Sequence, residues 1–380
     1  MPAENPFVYG EIVPAAAFVG RETELQRLAS DLANGQKVFL ISPRRYGKSS
    51  LVRQTFHGLG RQKITTLEFT VSSFSSYVAF LEGYARALIG LHAKAAQSRN
   101  WIRDWFSTAR PEVRSDGGSG VTIAFPSVRT PRDAARLAEE VFALPARVAE
   151  ALGRRLVIAL DEFQAIGSFN GGSVEQALRA AVQQQRQVGY VFAGSEPTLM
   201  EQMIGPKRPF YKAGPVMRLQ KIPAETFAAF VDRRFTRSGI APESGLGAAV
   251  VDLSGNLPYD VQRLAHETWD DVAADRRKRA TLDDLHATLH RLLAEQDTML
   301  ETVWQRLTLA QRGALRAVVL EQGEELLSAD VRERHRLGGA STVQAALLSL
   351  QRDDIVSRED DGRYQVVDSL MREWVARKTY

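Results

Sequence analysis

The sequence contains the run Lys37-Val-Phe-Leu-Ile-Ser-Pro-Arg-Arg-Tyr-Gly-Lys-Ser-Ser50. Its apolar start predicts a buried strand that leads into a tight turn, after which Leu51 and Val52 begin an amphipathic helix. A strand that passes through a Gly-Lys-Ser loop into a helix is the setting of a phosphate-binding P-loop. Backbone N–H groups of such a loop and of the helix N-terminus point toward nucleotide phosphates. We therefore predict a nucleotide-binding loop over residues 42–50.

Two residues of this loop have distinct predicted roles. Lys48 is expected to contact the β- and γ-phosphates of ATP, and the Ser49 hydroxyl is expected to coordinate Mg²⁺. The other loop residues expected to surround the phosphates are Ser42, Pro43, Arg44, Arg45, Tyr46, Gly47 and Ser50. The usual pattern has glycine at the position of Ser42. A positive φ there would cost serine more than glycine, so a somewhat slower turnover is expected.

Composition limits the class of protein. A chain of 380 residues has room for two or three domains, and 44% apolar and 25% charged residues are ordinary for a soluble globular protein. There is no cysteine, which excludes disulfides and cysteine-ligated metals and suits a reducing cytoplasm. No apolar run has the length of a membrane span, and residues 1–14 lack the apolar segment of a signal peptide. We expect a cytoplasmic protein without a membrane partner.

Apolar strands and amphipathic helices alternate over the first part of the chain. Besides the P-loop strand, strands are predicted at residues 64–70, 155–160, 188–193 and 216–219. Helices are predicted at residues 22–32, 75–92 and 131–152. Between residues 98 and 131 the pattern is broken, and only a short helix around Trp101 to Phe106 and a glycine-rich loop are predicted. We predict an α/β fold for residues 1–221, with a parallel sheet covered by helices on both faces.

The pattern changes after Pro223, where the strands cease. The aromatic residues from Phe227 to Phe235 follow helical spacing, and helices are predicted at residues 247–253, 259–274 and 282–306. We assign residues 222–306 to a helical lid. Residues 307–380 combine three predicted helices with an acidic hairpin at residues 355–366, which is the arrangement of a winged-helix domain.

An acidic pair, Asp161-Glu162, directly follows the apolar strand at residues 155–160. With a P-loop upstream, this is the Walker B layout: Asp161 would hold Mg²⁺, directly or through water, and Glu162 would orient or deprotonate the attacking water. The simpler alternative is a polar strand end that caps the next element. The sequence leaves open whether Arg44 and Arg45 contact phosphate or pair with Glu162.

Three further candidates each have a simpler alternative. Ser195 would lie near the γ-phosphate if its strand ran between the P-loop and Walker B strands; the simpler alternative is an N-cap of the next helix, and one residue could serve in both roles. Arg208 is either an arginine finger that stabilises transition-state charge or part of a solvated cluster. Pro258 either contacts the adenine from a lid turn or simply starts a helix.

Together these segments resemble the archaeal-type ATPases of the STAND group, relatives of the AAA+ class. The resemblance is carried by the P-loop run together with Phe18-Val-Gly-Arg-Glu22, Ala159-Leu-Asp-Glu-Phe-Gln164, Ala193-Gly-Ser195, Arg208-Pro-Phe-Tyr211 and Asn256-Leu-Pro-Tyr259. It implies an ATP-dependent switch whose core, lid and winged helix rearrange between ATP and ADP states. It also implies an adenine pocket lined by Val19, Gly20 and Arg21. The chain departs from the pattern at Ser42 and by one extra residue before Pro258.

The winged helix could either bind DNA or serve as a regulatory or protein-interaction module. A DNA reader needs cations near the phosphates, which supply most of the affinity. Residues 308–380 contain 11 basic and 12 acidic side chains, and the predicted wing carries Glu359-Asp-Asp361. In the predicted recognition helix, residues 341–352, Val343, Ala346, Leu347 and Leu350 should face the core, which leaves an outer face almost without charge. We therefore favour a regulatory or protein-interaction module, with a protein partner or self-assembly, over DNA binding.

Overall fold

The computed structural model describes residues 4–91, 105–106, 111–115, 121–169, 172–359 and 361–378. The chain forms two compact units. The αβ unit consists of Arg21–Arg44 and Lys48–Gln220. The C-terminal unit consists of Met1–Gly20, Arg45–Gly47 and Lys221–Tyr380, so it includes the three residues at the tip of the P-loop. The predicted domain boundaries at residues 221 and 306 stay predictions.

The αβ unit contains a five-stranded parallel sheet. The strands of this unit are β1 (Lys37–Ile41), β2 (Thr65–Thr70), β3 (Glu112–Ser115), β4 (Val121–Ala124), β5 (Leu156–Asp161), β6 (Val188–Gly194) and β7 (Val216–Arg218). The order in the large sheet is β2-β5-β6-β1-β7, and all neighbouring strands in it are parallel. Strand β6 therefore lies between the P-loop strand β1 and the strand β5 that ends in Asp161. The predicted parallel sheet is confirmed.

Helices cover this sheet. They are α1 (Glu22–Ala33), α2 (Lys48–Arg61), α3 (Tyr77–Gly90), α4 (Pro131–Leu152), α5 (Gly172–Gln184) and α6 (Pro197–Ile204). Helix α4 begins where the sequence predicts, because Thr130 and Asp133 form a reciprocal capping box around Pro131. Strand β5 is apolar and buried from Leu156 to Leu160, as expected for a central parallel strand.

Strands β3 and β4 form an antiparallel hairpin that we did not predict. Each has four residues, which is too short for an alternating pattern to stand out from the surrounding irregular sequence. The helix predicted around Trp101 to Phe106 lies mostly outside the described residues, which include only Trp105 and Phe106 of it.

The C-terminal unit is almost entirely helical. Its helices are α7 (Ala224–Arg237), α8 (Leu246–Leu253), α9 (Pro258–Ala274), α10 (Leu282–Arg306), α11 (Leu309–Leu320), α12 (Ala329–Arg334), α13 (Ala340–Arg352) and α14 (Ser369–Arg377). Its strands are β8 (Ala241–Pro242), β9 (Arg279–Ala280), β10 (Val356–Arg358) and β11 (Tyr364–Val366). We call α7–α10 the lid. The winged helix consists of α11–α13, the antiparallel wing β10–β11, and α14.

Two expectations for this unit were incomplete. Strands do not cease after Pro223, since β8 and β9 pair in parallel over two residues each. Helix α14 follows the predicted three helices and wing, and Asp368 caps it by accepting hydrogen bonds from the N–H groups of Leu370 and Met371. Strands β8 and β9 are too short to show a periodic pattern of apolar residues. Helix α14 is indicated in the sequence mainly by its N-cap residue.

The N-terminal segment contributes to the core of the C-terminal unit. Phe7 is 1% exposed, and its ring lies 5.0 Å from that of Phe235 in the lid, centroid to centroid. The carbonyl of Phe7 lies 2.7 Å from Nδ1 of His266, and the Tyr9 hydroxyl donates to Glu267 at 2.6 Å. Residues far apart in the chain thus share one hydrophobic core. Within the described ranges, none of the helices combines the length and apolarity needed to cross a bilayer.

Candidate active site

Three neighbouring strands end at one edge of the sheet in the αβ unit. The chain leaves β1 and reaches Lys48 at the first turn of α2, Asp161 is the last residue of β5, and Ser195 directly follows β6. Because the strands are parallel, their carboxyl ends lie side by side, which is where ligands bind in open α/β sheets. The strand order therefore collects the predicted site residues of this unit in one place.

Lys48 connects the P-loop to the acidic pair. It is 7% exposed, and its Nζ donates to Asp161 Oδ1 at 2.7 Å and lies 3.5 Å from Glu162 Oε1. A buried ammonium needs such carboxylates because removing it from water is costly. The side chains predicted to bind phosphate, to hold Mg²⁺ and to orient water are thus in direct contact.

Glu162 is held by several donors. Its Oε2 accepts hydrogen bonds from Ser195 Oγ and from Gln164 Nε2, each at 2.6 Å. Burial disfavours the charged form of Glu162, but the charge of Lys48 and the bonds from Ser195, Gln164 and Lys48 outweigh it, so the pKa lies below its usual value. The carboxylate is therefore ionised near neutral pH and can accept a hydrogen bond from water.

The backbone of Glu162 is also constrained. Its φ is 51°, in the left-handed region, at the start of the 3-10 helix Phe163–Ser168. For a residue other than glycine this conformation costs about 1–2 kcal/mol, and strain of this kind concentrates at functional sites. It turns the chain sharply after β5, so the side chains of adjacent residues Asp161 and Glu162 both contact Lys48.

Gln164 is a site residue that the sequence reasoning left without a role. Its Nε2 donates to Glu162 and lies 3.2 Å from Glu196 Oε1 and 3.5 Å from Ser195 Oγ. It therefore links the end of β5 to the residues after β6. Its position two residues after Glu162 belongs to the quoted motif, but a polar residue there does not reveal its partner.

The contacts of Ser195 show whether it caps the next helix. Ser195 donates to Glu162, whereas Glu196 occupies the N-cap position of α6, where the side chain makes no capping bond. The N-cap interpretation of Ser195 is therefore wrong.

Among the described loop residues, Arg45 at φ 69° and Gly47 at φ 86° have positive φ, and buried Ser42 does not. Serine thus has no conformational penalty at that position, so this reason for slow turnover is removed and the rate stays a prediction.

The donor set fits a magnesium ion. Mg²⁺ prefers hard oxygen ligands and usually keeps several waters. The αβ unit offers the Asp161 carboxylate at the end of β5 and the Ser49 hydroxyl in the first turn of α2, one residue after Lys48. Asp161 Oδ1 also accepts from the backbone N–H of Glu162 at 3.0 Å, which orients the carboxylate. Both predicted metal ligands are thus oxygen donors on elements that meet at this edge.

Arg208 lies after α6 in the same unit and is paired within its own chain. Its Nη2 donates to Glu175 Oε1 at 2.7 Å, and Glu175 is only 1% exposed. Burial raises the pKa of Glu175 and the charge of Arg208 opposes that rise. The guanidinium therefore compensates a buried carboxylate, and its role as an arginine finger stays a prediction.

The residues expected around the adenine are distributed over both units. In the C-terminal unit, Val19 packs against the lid core, and Gly20 has φ 68° with a Cβ position only 2.6 Å from Ile222 Cγ2, so only glycine fits there. Arg21, in the αβ unit, is buried and pairs with Glu24 at 2.9 Å. Their contact with adenine stays a prediction.

Pro258 is the first residue of α9 in the C-terminal unit. The turn before it contains Gly255 at φ 60° and Asn256 at φ 57°, and Asn256 Nδ2 donates to the carbonyl of Ile222 at 2.8 Å. The turn that starts the helix is confirmed, and the extra residue before Pro258 is accommodated by two consecutive left-handed residues. An adenine contact from Pro258 stays a prediction.

Arg45 does not pair with Glu162, and its contact with phosphate stays a prediction. Instead of Glu162, it contacts Asp260 and Asp368, both in the C-terminal unit to which Arg45 itself belongs. The sequence could not reveal these pairs, because the partners lie more than 200 residues away.

Comparison with known proteins supports the fold described above. The family described as "Probable winged helix domain" matches residues 298–377. The Walker-type ATPase of Pyrococcus abyssi superposes with a TM-score of 0.60 at 16% identity, over 94% of this chain and 96% of that one. The ORC2 protein of Aeropyrum pernix, solved in ADPNP–ADP complexes, gives 0.54 at 13% identity, over 99% and 98%.

A second Aeropyrum pernix protein, ORC1, solved in complex with DNA, gives a TM-score of 0.51 at 14% identity, over 97% of this chain and 96% of that one. This chain has an AAA+ P-loop ATPase fold with a C-terminal winged helix. A search of curated proteins found no match. At these identities the similarity establishes the fold alone, and the reaction and the partner of this chain must be argued from its own residues.

Proposed function

We propose that the protein is an ATP-binding switch of the STAND type that hydrolyses ATP slowly and requires Mg²⁺. The observation that carries this proposal is the contact of Lys48 Nζ with Asp161 Oδ1 at 2.7 Å, beside a Glu162 that accepts from Ser195 at 2.6 Å. A buried lysine at a helix N-terminus, paired with two carboxylates at the end of strand β5, suits phosphoryl transfer.

The residues would act as follows. Lys48 would exchange its carboxylates for the β- and γ-phosphates, and the N–H groups at the start of α2 would add favourable dipoles. Bound Mg²⁺ would supply charge neutralisation, held by Ser49 and Asp161. Glu162, ionised and fixed by Ser195 and Gln164, would orient the attacking water.

The remaining predicted contacts belong to the same proposal. The other loop residues would surround the phosphates: Ser42, Pro43, Arg44, Arg45, Tyr46, Gly47 and Ser50. Val19, Gly20, Arg21 and Pro258 would contact the adenine. Arg208 would act as a finger only if it left Glu175, which would expose a buried carboxylate without its cation.

For the output of the switch, we propose that the winged helix is a regulatory or protein-interaction module. The outer face of α13 exposes Thr342, Gln344, Ala345 and Leu348, with Leu348 50% exposed. An uncharged, partly apolar face suits a protein surface or a second copy of the chain better than a polyanion.

The alternative is an ATP-controlled DNA-binding protein. It is favoured by one observation, the similarity in fold to the ORC1 protein that was solved in complex with DNA. The acidic wing and the scarcity of cations on α13 speak against binding through this face.

Two substitutions test the ATPase proposal. Lys48→Ala should weaken ATP binding by about 100-fold or more, because it removes the phosphate-binding cation. Glu162→Gln should keep ATP binding within about threefold while lowering hydrolysis by about 100-fold or more, because it removes only the water-orienting charge. Calorimetry measures the affinity, and phosphate release with and without EDTA measures the Mg²⁺-dependent rate.

Matched controls are Lys278→Ala and Glu139→Gln, which replace exposed residues of the same types. Both should bind and hydrolyse ATP like the unmodified chain. Equal turnover in Glu162→Gln and the unmodified chain would refute the Walker B assignment. Undiminished binding by Lys48→Ala would refute the nucleotide site itself.

A further inference from the structure

The tip of the P-loop is bound by carboxylates of the lid and the winged helix. Arg45, which belongs to the C-terminal unit, has Nη1 3.3 Å from Asp260 Oδ1 and Nη2 3.2 Å from Asp368 Oδ2. Asp260 lies in α9 of the lid, and Asp368 is the N-cap of α14. The guanidinium also lies 5.1 Å from the ring centroid of Tyr259. The Arg45 side chain therefore contacts both the lid and the winged helix.

The next residue makes a second attachment. Tyr46 is 3% exposed, and its hydroxyl lies 2.8 Å and 2.9 Å from the two carboxylate oxygens of Glu359. Glu359 directly follows strand β10 of the wing. A buried tyrosine hydroxyl needs a partner, and a charged acceptor makes a stronger bond than a neutral one. Consecutive loop residues thus bind three carboxylates from three separate segments.

These contacts differ from an ordinary surface ion pair, because one carboxylate is buried. Asp260 is 3% exposed; burial and the neighbouring charge of Asp368 raise its pKa to about 6, while Arg45 opposes the rise. A carboxylate in that position needs a cation or a proton. Departure of Arg45 would leave Asp260 without its cation, so the contact resists breaking more than exposed pairs do.

Phosphate competes chemically for the same arginine. A guanidinium binds carboxylate and phosphate through the same donor geometry, and a tyrosine hydroxyl can donate to either. Arg45 and Tyr46 stand three and two residues before Lys48 in a loop whose tip is strongly curved, with Arg45 at φ 69° and Gly47 at φ 86°. A loop that closed around phosphates would reorient these residues together.

We propose that Arg45 and Tyr46, with Asp260, Asp368 and Glu359, form a latch through which nucleotide phosphates control the lid and the winged helix. With the latch closed, the loop tip is fixed to α9, the wing and the start of α14. Phosphate binding draws Arg45 and Tyr46 away from these carboxylates and frees the wing. The inference rests on the proposed function for the identity of the releasing ligand, whereas the latch contacts are independent of it.

The first test addresses the latch without any nucleotide. In the full-length chain, Tyr46→Phe and Glu359→Gln should each raise amide hydrogen exchange in the wing, residues 356–366, by about tenfold. The double variant should exchange no faster than Tyr46→Phe alone, since Glu359→Gln weakens the same bond that Tyr46→Phe removes. Tyr211→Phe, which replaces a tyrosine 45% exposed in the αβ unit, is the matched control and should change nothing in the wing.

The second test adds ATP with Mg²⁺ under conditions where calorimetry shows saturation. In the unmodified chain, exchange in the wing and in the first turn of α14 should rise by about tenfold. Arg45→Gln should raise exchange in the first turn of α14 without ATP, and ATP should then change that exchange little further. Circular dichroism confirms that each variant is folded. The conservative Arg45→Lys, which keeps the charge but not the fork geometry, should show an intermediate effect.

The two tests distinguish failure of the latch from failure of release by phosphate and from failure of the proposed function. Additive effects of Tyr46→Phe and Glu359→Gln, or no effect of either, would overturn the latch, whatever the protein binds. ATP binding that leaves the wing unchanged or protects it would overturn release by phosphate and leave the proposed ATPase standing. Absence of ATP binding would overturn the proposed function and with it the role of phosphates, while the first test would still decide the latch.

Discussion

The carboxylate of Glu162 shows how much of the site depends on a few side-chain contacts. Ser195 and Gln164 donate to one of its oxygens and Lys48 approaches the other. A carboxylate with both oxygens occupied is restricted to one orientation, and catalysis by water activation depends on such positioning. Gln164 therefore has a testable role although we expect it to contact no substrate.

Replacing Gln164 should separate positioning from binding. Gln164→Leu removes the donor that spans Glu162 and Glu196, so we predict that hydrolysis falls by about tenfold while ATP affinity changes less than about threefold. Phosphate release and calorimetry measure the two quantities. Gln344→Leu on the exposed face of α13 is the control. Unchanged hydrolysis, or equal losses in rate and affinity, would contradict a positioning role.

Residues within one motif were predictable from the sequence, and partners across the chain were not. The P-loop and the Asp161-Glu162 pair follow apolar strands, so their surroundings are encoded by neighbours in sequence. The pairing of Arg45 with Asp260 and Asp368 joins residues hundreds of positions apart, and no local pattern specifies it. The same holds for the pair of Arg208 and Glu175. Only the structure shows that Glu175 is buried and needs a cation.

At the scale of elements, strongly periodic or well-capped segments were predicted closely. Helix α10 spans Leu282–Arg306 as expected, because Thr281 and Asp284 cap its start and its apolar stripe is long. The buried face of α13 also agrees, with Val343, Ala346, Leu347 and Leu350 all in the core. The short strands β3, β4, β8 and β9 were not predicted, because segments of two to four residues show no clear period.

The charges of the wing and of α13 bear on the choice between the two proposed functions of the winged helix. Glu359 is engaged by Tyr46, and Asp361 pairs with Arg363 at 3.2 Å, so part of the wing charge is compensated inside the C-terminal unit. The outer face of α13 still offers no cation before Arg352. Affinity for a duplex, which scales with the phosphates neutralised, should be low through this face.

We predict weak DNA binding that does not depend on the winged helix. A mixed duplex titrated at about 50 and 200 mM salt, where phosphate contacts differ most in strength, should show no tight complex. Deleting residues 308–380 is too disruptive, since α11 and α14 share a core with the lid. Gln344→Glu and Gln351→Glu on α13 are milder. Tight, salt-sensitive binding that these changes weaken would establish the DNA-binding alternative.

At the scale of the whole molecule, buried charge makes stability depend on pH. Burial and the charge of Asp368 raise the pKa of Asp260 to about 6, against the opposing effects of Arg45, Arg263 and a backbone N–H of Ser369. In the unfolded chain this carboxyl titrates near its ordinary value of 3.8. Since the folded pKa is the higher one, the favourable contribution is complete below about pH 4 and is lost as the pH rises through about 6.

Asp260→Asn should remove this dependence. On acidification from pH 7.5 to 5, we predict that the unmodified chain gains stability relative to the variant, up to on the order of 3 kcal/mol over the full titration. Thermal unfolding at both pH values measures the difference, and groups common to both proteins cancel. Asp353→Asn, at an exposed position, should give no such change. An identical difference in melting temperature at both pH values would show that Asp260 does not titrate in this range.

Phe7 has a consequence for how the chain is made. Its ring is enclosed with that of Phe235, so the αβ unit is inserted between two segments of a single core. During synthesis, residues 4–9 emerge before α7 and α9 and have no place to dock until both helices have left the ribosome. The inserted unit can fold meanwhile, because its own core uses residues from within its span. Completion of the C-terminal unit thus waits for late translation, and bulky additions near Phe7 would delay it.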